Sequence, residues 1–301
     1  MSVCNSTRPG MTKSFSQSIA PAGICSPSLI LQIMPFSIVT APLSTRSPKT
    51  SCAFARHRLL DKSLLSVWLD GDEEKVEVMS YSRFAIYYVP PAGPLADLGA
   101  SWLGWDVVRG CEATQLNIAG LCDITMTPRK YGFHGTLKPP FRLRSDRTIA
   151  ELKQFTFNLA ERVEPAVCKG LYLRTMGRFL ALAPQGETSA LQRVAAACVR
   201  DLDMFRAPAD AAELARRRKA RLSDRQEELL VQWGYPFVME EFKFHLTLSG
   251  PLPEADIAKW SDTIQRLLPD LNEPFIVDQI ALCGQREDGR FELLHRYTLA
   301  G

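Results

Sequence analysis

The chain has 301 residues, 46% of them hydrophobic and 23% charged, with a formal net charge of +3, the balance of an ordinary globular protein. So small a positive surplus argues against non-specific nucleic-acid binding, and no run of about 18 apolar residues marks a membrane-spanning helix. Eight cysteines are scattered without a C-x-x-C pair, which indicates neither a zinc site nor a disulfide framework and points to free thiols in a reducing cytoplasm.

Residues 1–78 differ from the rest. The first acidic residue is Asp61, Ser, Thr, Arg and Lys are frequent before it, and the apolar stretch 29–39 is broken by Pro35. Such a composition suits a transit peptide, a disordered extension, or a start assigned too early with the true start at Met79. The last reading is preferred, because a coherent strand begins four residues later at Arg83. The fold is therefore sought over 79–301.

Residues 83–89 predict a strand stopped by Pro90 and Pro91. A short helix over 95–103 ends at Gly104, and 105–128 reads as irregular. A strand around His134 follows, broken by Pro139 and Pro140. Thr148 and Glu151 form a capping box that opens a helix to about Val163. Residues 167–175 and 178–183 predict a hairpin turning at Met176 and Gly177, followed by a helix over 188–202. The segment 210–234 is a charged linker in which Ser223 and Gln226 cap a helix closed by Gly234. Its bland reading is a solvated helical linker with Leu214, Leu222, Leu229 and Leu230 inward. Its sharper reading is a lid or anion clamp built on Arg216, Arg217, Arg218, Lys219 and Arg221. A second strand around His245 ends near Pro251. Then come a helix over 254–268, a strand over 275–283, a turn at 287–289 and a final strand over 290–299.

The order strand, helix, strand, hairpin strand thus occurs twice. Gly-Arg-Phe stands at 177–179 and again at 289–291, 43 residues after His134 and 44 after His245. This is an internal duplication. It predicts a lobe over about 79–205, a linker over about 208–234 and a similar lobe over about 240–301, related by a pseudo-twofold axis.

The two histidine strands are the centre of the duplication. Residues 130–141 and 242–252 share the pattern aromatic, any residue, Phe, His, any residue, Thr, Leu, with a Pro six residues after the His. In a strand, residues two apart share a face. Phe242, Phe244, Leu246 and Leu248 then oppose Lys243, His245, Thr247 and Ser249. Tyr131, Phe133, Gly135 and Leu137 oppose Lys130, His134, Thr136 and Lys138. One strand pointing His-x-Thr outward is ordinarily a solvated face. Two at matching places in two repeats predict a shared polar cleft. An imidazole titrates near pH 6.5, so a neutral ring can take a proton from water while a charged one protonates a departing alkoxide. The threonine hydroxyls suit phosphate oxygens, and the lysines supply charge, an ensemble fitted to attack on a phosphodiester without metal. No Asp, Glu or Cys shares these faces at ligand spacing, so a metal site is not indicated. Of the four histidines, His57 lies in the tail, and His295, on the face of Phe291, Leu293, Tyr297 and Leu299, is expected in the core.

The segments around His134–Leu137 and His245–Leu248 resemble the paired H-x-[ST]-hydrophobic motifs of the 2H phosphoesterase superfamily. Residues 83–89, 101–104, 131–141, 212–218, 233–236 and 242–250 resemble the branch encoded in bacterial phosphonate-utilisation operons. The resemblance covers about 82–299. It implies an α+β, bilobal fold with two antiparallel sheets and flanking helices around a cleft. It also implies cyclic phosphodiester hydrolysis, or the reverse ligation, without a cofactor. His134 and His245 would be the acid–base pair, and Thr136 and Thr247 would hold the phosphate. Lys130, Tyr131, Lys138, Lys243 and Arg83 are the expected substrate contacts. The branch implies a small sugar phosphate, a ribose cyclic phosphate. The alternatives are an enzyme acting on RNA 2′,3′-cyclic phosphate ends and a non-catalytic phosphate- or nucleotide-binding module. Acidic and basic residues nearly balance over 79–301, which favours a small phosphorylated partner over nucleic acid. A cytoplasmic monomer without membrane contact is expected.

Overall fold

The computed structural model describes residues 80–301; the expectations for residues 1–78 lie outside the described residues. β1 (Arg83–Tyr88) is buried on both faces from Phe84 onward, which explains its unbroken apolar run. α1 (Pro94–Leu103) starts on proline and ends at Gly104, whose φ of 77° is the left-handed cap that glycine favours. The stretch expected to be irregular holds a small hairpin, β2 (Trp105–Asp106) and β3 (Cys111–Glu112), and the short α2 (Leu121–Thr125). β4 (Gly135–Phe141) carries the first histidine motif, and α3 (Ile149–Ala160) follows with its Thr148–Glu151 capping box formed.

The strand expected over 167–175 is split into β5 (Ala166–Cys168) and β6 (Gly170–Met176), which turns back as β7 (Phe179–Gln185). Then come α4 (Ser189–Asp201), α5 (Ala211–Arg218), α6 (Asp224–Trp233) and β8 (Leu246–Thr247), the core of the second motif. α7 (Glu254–Gln265) leads to β9 (Phe275–Val277), β10 (Gln279–Gln285) and β11 (Phe291–Thr298). The second repeat is split at the same place as the first, and the two fragments β5 and β9 pair with each other.

The strand order is β11-β10-β1-β4-β8-β7-β6, and every pairing is antiparallel. The fold is α+β, with antiparallel strands and flanking helices. The β6–β7 hairpin of the first repeat pairs with β8 of the second, while the β10–β11 hairpin of the second pairs with β1 of the first. Each half of the sheet therefore draws on both repeats. The boundaries near 205 and 240 describe the repeat along the chain, not the halves of the sheet. The halves meet at one pair, Gly135 opposite Leu246.

α1, α3, α4 and α7 send Trp102, Leu152, Val194 and Trp260 into one core with Ile86, Leu137, Leu182 and Leu246. The other sheet face carries Ala85, Tyr87, Ala281, Cys283 and Phe291, with Trp105 and Val107 beside them. Helices thus cover one face, and the polar motifs lie on the other. α6 joins α4 through Leu229 and Val199. Leu229 and Leu230 are buried as expected of the linker, whereas Leu214 and Leu222 are half-buried.

Three departures from simple alternation bear on the site. First, β4 starts only at Gly135, since Pro128–Lys130 is a 3₁₀ turn. It also runs through Pro139 and Pro140 rather than stopping there. Its register with β1 passes from Tyr87–Thr136 to Ile86–Lys138 to Phe84–Phe141, with two shifts. Each is a bulge, where an extra residue goes unpaired and a missing proline N–H costs no ladder bond. Lys138 is thereby set opposite Ile86, on the helix-covered face. Second, Ser249 is buried, its Oγ accepting from the Leu180 amide and donating to the Gly250 carbonyl. It has left the polar face. Third, His295 is exposed rather than in the core, because the register shift between Leu282–His295 and Cys283–Leu293 reverses its parity relative to Leu293.

Candidate active site

The Gly135–Leu246 pair builds the site. Across an antiparallel ladder, stepping one residue each way places His134 opposite Thr247 and Thr136 opposite His245. Gly135 and Leu246 turn to the helix side, so the two histidines and two threonines share the other face. The row continues outward: Thr136 faces Tyr87, which faces Ala281, and Thr247 faces Ala181, which faces Arg174. Alanines between the functional side chains leave the floor low.

Both rings are held in the same way. His134 Nδ1 lies 2.9 Å from the Gly132 carbonyl oxygen, and His245 Nδ1 lies 2.7 Å from the Lys243 carbonyl oxygen. A carbonyl only accepts, so each neutral ring carries its proton on Nδ1 and offers the Nε2 lone pair. Thr136 Oγ1, 3.1 Å from His134 Nε2, donates to it. Gly132 reaches its position with φ 72°, where a Cβ would come within 2.6 Å of Val107 Cβ; only glycine allows the carbonyl to be presented there.

The surroundings are not twofold. Tyr87 stacks on His134 at 3.8 Å between ring centroids, 30° from parallel, whereas His245 has Phe179 at 5.5 Å. Burial pushes His134 down to about 4; the charge of His245 adds to this, and the Gly132 carbonyl opposes it. Burial lowers His245 as well, opposed by the Lys243 carbonyl. Desolvation thus outweighs the hydrogen bond at both rings.

The expected substrate contacts scatter. Tyr131 lies beside the site, its ring stacked on Phe291 at 5.4 Å and 6.1 Å from His134. Arg83 is half-buried nearby, its Nε donating to Gln285 Oε1 at 2.7 Å. Lys130 and Lys243 are exposed, and Lys243 lines a pocket with Arg174, Met176 and Phe242. Lys138 is not a substrate contact. It is 2% exposed, and its Nζ donates to the Val199 carbonyl at the end of α4, 2.9 Å away, with Asp203 at 3.4 Å. A cation there meets the negative end of the helix dipole. Burial lowers its pKa to about 8 despite Asp203. Lys138→Met, which keeps the buried stem, is expected to change the melting temperature and leave kcat unaltered. A kcat loss of about tenfold or more, some 1.4 kcal/mol of barrier, would return Lys138 to the substrate.

The linker arginines are largely matched by carboxylates. Arg217 pairs with Glu213 at 2.7 Å and lies over the Tyr235 ring, and Arg218 pairs with Glu227. Among the described residues, no three His, Cys, Asp or Glu side chains gather as metal ligands, and no helix is long and apolar enough to cross a membrane. Tyr87, Phe179 and Arg174 were not singled out from sequence. Only the cross-strand register brings them to the histidines.

Two curated proteins match part of the chain, each spanning more than the segment shared. The "Ribose 1,5-bisphosphate phosphokinase PhnN" of Janthinobacterium sp. (strain Marseille) is 37% identical over 188 residues, 60% of this chain and 42% of that protein. Its namesake from Laribacter hongkongensis (strain HLHK9) is 34% identical over 183 residues, 59% of this chain and 42% of that protein. The chain thus spans less than half the length of these relatives. A crystal structure of E. coli LigT complexed with 3′-AMP aligns at a TM-score of 0.36 and 15% identity, over 74% of this chain and all of that one. The family described as "Protein of unknown function (DUF1045)" matches residues 136–292, just over half of the 301 residues, and the chain belongs to that family.

Proposed function

We propose that this protein hydrolyses a small cyclic phosphodiester by two-histidine acid–base catalysis, with a ribose cyclic phosphate as its substrate. The observation that carries the reading is the pair of imidazoles on one sheet face, each tied through Nδ1 to a backbone carbonyl and each opposite a threonine. His134, the more strongly lowered of the two, is the base. Its Nε2 takes a proton from water as the water oxygen bonds to phosphorus. The bond from phosphorus to one ring oxygen breaks, and His245 as imidazolium protonates that leaving alkoxide. The product is a phosphomonoester beside a free hydroxyl, and the proton on His134 returns through solvent to His245. Thr136 and Thr247 donate to the non-bridging oxygens. Each acid or base contributes roughly 10²–10⁴-fold.

The sugar is supported by the relatives. Their printed name concerns a kinase of ribose 1,5-bisphosphate, and the segment shared with this chain is 42% of each. Opening a cyclic phosphate that includes the ribose 1-oxygen leaves a ribose 1-phosphate, the ester class which that name includes.

The test follows ³¹P NMR of ribose cyclic phosphates incubated with enzyme, with and without EDTA. Conversion of cyclic diester to monoester is expected, undiminished by the chelator. Loss with EDTA that Zn²⁺ or Mn²⁺ restores would replace this mechanism with a metal-assisted one. Binding of a phosphate analogue without turnover at any pH would favour a non-catalytic module.

A further inference from the structure

We infer that Arg83, Tyr87 and Tyr131 form a second anion subsite beside His134, which holds a phosphomonoester carried by the same substrate as the cyclic diester. The inference rests on the phosphodiesterase reading and narrows it to a doubly phosphorylated sugar.

The first observation is the Tyr87 hydroxyl. Tyr87 is 0% exposed, and its Oη has no hydrogen-bond partner among the described residues. A buried hydroxyl left without a partner costs free energy, and packing alone would be served better by Phe. The equivalent aromatic beside His245 is indeed Phe179. The hydroxyl therefore belongs to the half of the cleft where the twofold likeness fails.

Convergence is the second observation. The Phe291 ring is a common neighbour: Tyr87 at 5.8 Å, Tyr131 at 5.4 Å and the Arg83 guanidinium carbon at 5.8 Å from its centroid. Arg83 is half-buried and held through Nε by Gln285. Its terminal nitrogens have no carboxylate among the described residues, unlike those of Arg142, Arg144, Arg206, Arg217 or Arg218. The carboxylate adjoining Phe291, Glu292, is engaged by Tyr81 and Arg286. Burial raises the Tyr87 phenol well above 10, so it stays a neutral donor.

One guanidinium and two phenols are a set able to give hydrogen bonds to an anion with no carboxylate opposing it. The fork of Arg83 suits a phosphomonoester, and the location suits a second group on the sugar. Tyr87 is one strand from Thr136, about 4.8 Å, outside the His–Thr floor that receives the cyclic phosphate. The relatives' printed name also concerns a ribose bearing two phosphates.

The experiment has two arms. In the first, kcat/KM is compared for ribose 2,3-cyclic phosphate with and without a 5-phosphate, in wild type, Arg83→Gln and Tyr87→Phe. Wild type is expected to prefer the 5-phosphate form by about 10-fold or more, the scale of one charge-assisted hydrogen bond. The preference should fall toward unity in Arg83→Gln and partway in Tyr87→Phe, which keeps the ring under His134. In the second, calorimetric titration compares ribose 5-phosphate with ribose, independently of turnover. Tighter binding of the phosphate form by wild type, reduced in both variants, supports the subsite. Equal binding of the two sugars by wild type, or an undiminished preference in Arg83→Gln and Tyr87→Phe, overturns it. Retained preference for ribose 5-phosphate with no turnover of either cyclic compound supports the anion subsite and sinks the phosphodiesterase reading instead.

Discussion

His134→Ala and His245→Ala are each expected to lower kcat by about 10²–10⁴-fold, some 2.7–5.5 kcal/mol of barrier, with little change in melting temperature. Both side chains sit on the polar sheet face, outside the helix-covered core, so their loss removes chemistry rather than packing. The double variant should be far less impaired than the product of the two losses, because a base without its acid contributes little. Thr136→Val and Thr247→Val should cost less, about 1.5–3 kcal/mol each, the range for a hydrogen bond to a charged group. The pH profile separates this mechanism from a general structural loss. His134 falls to about 4 and His245 is lowered from 6.5. The base is therefore ready above about pH 4, while the acid form of His245 is lost as pH rises toward the ordinary histidine value. The bell of kcat/KM should lie on the acid side of 6.5, and its two limbs belong to the coupled pair. Either single variant retaining near-full turnover would refute the division of roles.

The second large effect is expected from Gly135→Val. A Cβ at Gly135 would lie 2.3 Å from Cζ of Phe244, far inside contact distance, and the flanking backbone is the one pair that joins the two halves of the sheet. Overpacking of this kind costs about 1–3 kcal/mol, or a melting temperature lower by about 2–12 °C for a domain of this size. Because His134 precedes the substituted residue and Phe244 precedes His245, kcat should fall together with stability. Adding Phe244→Leu makes room and should recover part of both. If Gly135→Val lowers stability yet leaves kcat intact, the junction does not set the spacing of the histidines.

Much of the molecule is legible in its residues. The capping boxes at Thr148–Glu151 and Ser223–Gln226 and the glycine caps at Gly104 and Gly234 form as read, because capping is chemistry within one turn of chain. The duplication was visible in the spacing of its motifs, and both halves break at the same place, β5 from β6 and β9 from β10. His134 with Thr136 and His245 with Thr247 share one sheet face, as period-two alternation requires over three residues.

Alternation failed where it was extended further. Lys138 is only two residues beyond Thr136, yet a bulge between them sends it under α4. His295 is reversed by another register shift. A bulge depends on the fit between two strands, and nothing within either strand announces it. The same holds for the crosswise pairing of hairpins and for Tyr87, Phe179 and Arg174, which meet the motifs through ladders linking residues far apart in the chain. By itself the sequence determined which residues carry the chemistry, in two matched copies, and where most helices start and stop, since periodicity and caps act over a few residues. Which strands pair, which face Lys138 takes and which aromatic lies against each histidine were decided only by the tertiary structure, because register and bulges are set jointly by strands that the chain brings together from a distance.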